Sequence, residues 1–155
     1  MTTFERLLSE LGEALGIDIS PGSDGIAEVS ADGRIVLLRT DETGEREALV
    51  FSIVATAPEG GSFSAATLST ALEMDLFGRD VAGHHLGLFA GSLLLSASLP
   101  LEGLDAETLA ERILAVSRLA RELSGRLTAA EAVAALDEPG EPGVSAGSAD
   151  GFLAV

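Results

Sequence analysis

His84 and His85 are the only histidines in this 155-residue sequence, and the side chains best suited to metal binding or proton transfer. Adjacent residues on a strand point to opposite faces, so the pair cannot readily share one metal ion. The sequence has no cysteine, and no spaced carboxylate cluster lies nearby, which removes the commonest ligand sets. Gly83-His84-His85 reads better as the entry to a strand. Ser92, Ser96 and Ser98 would each need a base and an orienting acid to become a nucleophile, and two adjacent histidines do not supply both. Gly78, Gly83, Gly87 and Gly91 are not placed between a strand and a helix as a phosphate-cradling loop would be. Glu10, Glu13, Glu107, Glu111 and Glu122 scatter singly along polar faces, as solvated surface rather than a carboxylate dyad. These residues point to no enzyme, no metal and no cofactor, and shift attention to surfaces that bind.

Composition narrows the class of partner. Nine basic residues, all Arg, against 25 acidic ones leave a net charge of −16. Such a field repels nucleic acid and anionic lipid and favours partners with a basic segment. Yet 46% of the residues are apolar and mean hydropathy is +0.36, which leaves apolar surface for a partner or reflects an Ala- and Leu-rich bias. The first residues lack the basic start and long apolar run of a secretory signal, and no run of about 18 apolar residues occurs. A cytoplasmic protein without membrane insertion is expected. The length suits a single domain.

The elements that must position any site follow from periodicity. Thr2 and Glu5 form a capping-box pattern before Phe4, Leu7, Leu8, Leu11 and Leu15, which recur at helical spacing until Gly16. Three strand-like runs follow, 26–30, 34–39 and 47–55, with Asp32-Gly33 and Thr43-Gly44 in the turns between them. The third is apolar on both faces, Leu49, Phe51 and Ile53 on one and Ala48, Val50 and Val54 on the other, so it should be central. Residues 63–77 read as a helix capped by Ser62, with Leu68, Leu72, Leu76 and Phe77 near one side. A hairpin is then expected, 86–90 and 93–98, turning at Gly91-Ser92. Asp105 should cap a third helix carrying Leu109, Ile113, Val116, Ala120, Leu123 and Leu127. Thr128 with Glu131 is a second capping box, opening a separate short helix to Leu136. The domain is expected to span 1–136, and the Gly-, Ser-, Pro- and Asp-rich residues 137–155 to be a disordered tail. Phe152, Leu153 and Val155 could dock on a partner from there, against the favoured reading of a frayed end.

This order, helix, three strands, helix, two strands, helix, resembles the class I type III secretion chaperones, the Tir-chaperone family. Phe4-Glu5-Arg6-Leu7-Leu8, with Leu11-Gly12 and Leu15-Gly16, is similar to the family's first helix. Ala71-Leu72-Glu73-Met74-Asp75-Leu76-Phe77-Gly78, Leu86-Gly87-Leu88, Ser92-Leu93-Leu94-Leu95-Ser96 and Leu99-Pro100-Leu101 continue the likeness, which spans roughly residues 1–127. The resemblance rests on the ordered series and on no single motif.

It implies an α+β fold with a mainly antiparallel sheet, a homodimer without enzymatic activity, and an interface built from the middle helix and the following hairpin. Leu72, Leu76, Phe77, Leu88 and Phe89 are the interface candidates, with packing inside the monomer as the competing reading. It further implies that a secreted effector's N-terminal segment winds around the dimer in extended form, adding a strand to a sheet edge. Phe4, Leu8, Leu11, Val36 and Leu38 are the candidates for its apolar patches, against an ordinary core role. An acidic surface would suit handing the cargo to a basic surface of the export apparatus. The alternative is a regulatory or adaptor domain of the same fold, also non-enzymatic, that binds a folded partner or only itself.

Overall fold

The structure, a computed structural model, describes residues 1–59, 61–76 and 80–137. Helix α1 runs Thr3–Leu15, strands β1 Ala27–Ala31, β2 Arg34–Thr40 and β3 Glu47–Thr56, helix α2 Ala65–Asp75, strands β4 His85–Phe89 and β5 Ser92–Pro100, and helix α3 Ala106–Asp137. The strands form one antiparallel sheet in the order β1-β2-β3-β5-β4, which leaves β1 and β4 as its edges. β3 is central, as its two apolar faces require.

The ends of α1 follow local chemistry. The Thr2 hydroxyl accepts from the Glu5 N–H, and the Glu5 carboxylate accepts from the Thr2 N–H at 2.7 Å. At the other end Gly16 is left-handed, and the N–H groups of Gly16 and Ile17 donate to the carbonyls of Glu13 and Gly12. Those two bonds make a Schellman motif. The Asp32–Gly33 turn has both φ angles positive, 52° and 77°, the geometry of a tight hairpin. The second hairpin turns at Ala90–Gly91, one residue before the expected pair, and β4 accordingly spans His85–Phe89.

All three helices pack on one face of the sheet. Val29, Val36, Leu38, Val50, Leu95 and Leu99 point inward from the strands, and the periodic residues of α3 from Leu109 to Leu127 close over them. Ser117 on α3 donates to the Ala31 carbonyl at 2.7 Å, and Arg121 reaches the Asp32 carboxylate at 3.0 Å and its carbonyl. The β1–β2 hairpin is thereby pinned to the long helix.

Two helices differ from expectation. α3 is continuous, with no break at Thr128, because residues 128–136 are mostly good helix formers with no Gly or Pro. Glu131 is used elsewhere: it accepts from the Ser64 hydroxyl at 2.7 Å and from the Thr67 hydroxyl, tying the end of α3 to the start of α2. The Thr67 hydroxyl, followed by that of Ser64, holds the Glu131 carboxyl below its ordinary range. α2 is shorter than 63–77, and its cap is Ser64, not Ser62. α3 runs to Asp137, and the expected tail from residue 138 on lies outside the described residues.

The start of α1 is clamped to the β2–β3 loop by carboxylates. Phe4 N–H donates to the Gly44 carbonyl at 3.0 Å, and Thr3 donates through both N–H and hydroxyl to Glu45. Gly44 is needed here, since its φ is 70° and a Cβ would stand 2.9 Å from the Thr2 side chain. Asp41 organises the loop, accepting from the Thr43 hydroxyl and from the N–H groups of Thr43, Arg46 and Glu47. The Thr43 hydroxyl foremost holds the Asp41 carboxyl well below the ordinary 3.8, and the Thr3 hydroxyl lowers Glu45 from 4.5. A carboxyl depressed in the folded state stabilises it above the unfolded pKa, and that stabilisation is lost as pH falls through the folded value. Amide exchange should therefore show the α1 N-terminus losing protection as pH falls below about 4.5. Asp41→Asn should lower the melting temperature at pH 7 and flatten this acid dependence.

Candidate interaction surfaces

Among the described residues two apolar surfaces remain after the core is closed. The first lies on α2 and β4. The buried side of α2 is Thr67, Ala71 and Met74, and Leu72 and Leu76 turn outward, 72% and 58% exposed. Leu88 on β4, 58% exposed, stands on the same side of the sheet, and together with Leu68, Leu72, Leu86 and Leu93 lines an apolar hollow of about 270 Å³. Phe89 is 72% exposed, and strand alternation puts it on the opposite sheet face, flanking the same β4 edge. Four of the five interface candidates are thus exposed around one edge; Phe77 lies outside the described residues.

The second surface is the outer face of the sheet, against which no described helix packs. Ile35 and Leu37 from β2, Leu49, Phe51 and Ile53 from β3, and Leu94 from β5 form a continuous apolar band there. Phe51, at the centre, is buried yet takes no part in the main core cluster. Toward the β1–β2 hairpin the band deepens into a groove of about 530 Å³, whose rim is polar: Glu28, Arg34 and Arg121. Arg34 also reaches the neighbouring strand β3 and donates to the Ile53 carbonyl at 2.8 Å. Contiguous exposed apolar surface of this kind marks a binding site more often than chance.

The five residues expected in an effector patch are elsewhere. Phe4, Leu8, Leu11, Val36 and Leu38 are all fully buried and belong to the core cluster, so the expectation is corrected. The spacing that placed them on one face was right, but that face is the one the helices cover. The outward positions are Ile35 and Leu37 on β2 and Ile53 on β3, since the alternation that buries Val36 exposes Ile35. Their signal in the sequence is an apolar pattern on both faces, in residues 34–39 for Ile35 and Leu37 and in residues 47–55 for Ile53.

His84 and His85 are separated by the fold. His84 is buried, with Nδ1 3.0 Å from the Val81 carbonyl, while Nε2 has no partner among the described residues. His85 is exposed at the start of β4. Among the described residues no three His, Asp or Glu side chains gather as a metal site would need, and no helix is long and apolar enough to cross a membrane.

A sequence model of the Tir chaperone protein (CesT) family matches residues 6–124, from α1 into α3 and across all five strands. The chain belongs to this family. No curated protein is significantly similar to it in sequence. Solved structures share its fold at low identity. The Yersinia pestis type III secretion chaperone SycH, in complex with a stable fragment of YscM2, is 23% identical, with a TM-score of 0.56 over 77% of this chain and 98% of that one. The HopA1–SchA chaperone–effector complex contains a chain 20% identical, with a TM-score of 0.59 over 79% and 94%. The ExoU–SpcU heterodimeric complex from the type III secretion system of Pseudomonas aeruginosa contains one 17% identical, with a TM-score of 0.56 over 81% and 97%.

Proposed function

We propose that this chain is a cytoplasmic type III secretion chaperone, a homodimer that binds the N-terminal segment of a secreted effector in extended form and keeps it competent for export. The observation that carries this reading is the apolar band of the outer sheet face, against which no described helix packs and which reaches β2, next to the edge strand β1. An extended segment can bond its main chain to the edge of β1, beside Glu28 and Ser30, while an adjoining stretch of it crosses the outer face and sets apolar side chains against Ile35 and Leu37 of β2 and Ile53 of β3. Main-chain bonding demands little of the client's sequence, while the groove selects apolar anchors. The opposite edge, β4 with Leu72, Leu76, Leu88 and Phe89, is assigned to the second copy. It acts without covalent chemistry, and the net charge of −16 limits self-association of the exposed apolar surface and suits a basic docking surface on the export apparatus.

Light scattering coupled to size-exclusion chromatography tests this reading, on the protein alone and co-expressed with N-terminal segments encoded beside its gene. A species of about twice the 15.8 kDa chain mass that takes up one segment per two chains is the expected result. A monomer that takes up no segment overturns it.

A further inference from the structure

The outer-face groove has a chemistry at odds with the rest of the molecule. In a chain of net charge −16 with nine arginines, two, Arg34 and Arg121, line this one groove beside Ile35, Leu37 and Ile53, against a single lining carboxylate, Glu28. Arg121 is engaged with Asp32, whereas Arg34 makes no ion pair among the described residues. The matching occupant presents apolar side chains with a carboxylate close by.

The chain carries such a sequence itself, Asp150-Gly151-Phe152-Leu153. Between it and the end of α3 the composition is Gly, Ser, Pro, Ala and Glu with a single Val, nothing that would build a core of its own. The spacing also fits. From Asp137 back to Arg121 is 16 residues of α3, about 24 Å at the helical rise. The 15 residues from Asp137 to Phe152 reach about 50 Å fully extended, and a chain of that length and composition has a root-mean-square span of about 20 Å. A tether whose natural span matches the distance holds its end near the groove at millimolar effective concentration, so even a weak apolar contact is populated.

We propose that Phe152 and Leu153 dock into the groove of their own chain, against Ile35, Leu37 and Ile53, with Asp150 facing Arg34. The docked segment shields the apolar band in the unloaded protein and must be displaced by a client. Only this displacement rests on the chaperone reading; the docking does not.

Because the sequence has no cysteine, Ser148→Cys carries a single nitroxide label on the full chain. Methyl signals of Ile35, Leu37 and Ile53 should lose more than half their intensity, while those of Leu72 and Leu88 stay unchanged. Adding Phe152→Ala and Leu153→Ala should restore them. Undiminished Ile35 and Ile53 signals, or losses that survive the double substitution, overturn the proposal. So do losses found only between chains, in a mixture of spin-labelled and isotope-labelled protein. Intensity that returns on adding an N-terminal segment encoded beside the gene supports both docking and displacement. Docking that no such segment competes away sustains the tail contact and counts against the chaperone reading, so the two failures are told apart.

Discussion

Replacing Leu72 and Leu88 together with Glu is expected to turn the proposed dimer into a monomer of 15.8 kDa with an unchanged far-UV spectrum. Both side chains are more than half exposed in the single chain, so neither holds the fold together. A surface substitution of this kind changes stability by about 0.5 kcal/mol or less. In a two-fold interface each position occurs twice, so four carboxylates would be brought into an apolar contact without partners. Each uncompensated buried charge costs several kcal/mol, which raises the dissociation constant by at least about a thousandfold. Light scattering across a concentration series reads this directly. A dimer that survives the double substitution would place the interface away from α2 and β4.

A second pair of variants separates core from binding face. Leu38→Ala removes a fully buried side chain and should lower unfolding stability by about 2–5 kcal/mol, read by chemical denaturation. Its folded fraction should still bind a client segment normally, because Leu38 faces the helices. Ile35→Asp with Ile53→Asp reverses the pattern. These side chains are 57% and 43% exposed on the outer face, so stability should change by less than about 1 kcal/mol. Client binding, measured by calorimetry, should weaken at least tenfold, since about 1.4 kcal/mol lost at the groove corresponds to that factor. Normal binding by the aspartate variant would exclude the outer face as the client site.

These contrasts trace where sequence reasoning succeeded. The capping box at Thr2 and Glu5, the Asp32–Gly33 turn, the central position of β3 and the buried stripe of α3 from Leu109 to Leu127 are all local patterns. They could be read because hydrogen-bond chemistry and periodicity over a few residues decide them. Thr128 and Glu131 show the limit of local patterns: a valid capping-box spacing lost to a continuous helix, and Glu131 found its donors in Ser64 and Thr67, more than sixty residues away in sequence.

By itself the sequence determined the elements, their order and the face each apolar residue shares with its neighbours, and with them the likeness to the Tir chaperone family. It also set the net charge of −16. Which face is covered was a matter for the tertiary structure alone. Periodicity groups Val36 with Leu38 and Ile35 with Leu37, yet both sets are apolar, and only the docking of all three helices on one side makes the first pair core and the second a groove. The same holds for α2, where the side of Thr67, Ala71 and Met74 is the one buried in the fold and Leu72 and Leu76 are turned to the solvent. Burial depends on what the rest of the chain brings to a face, and no local window contains that information.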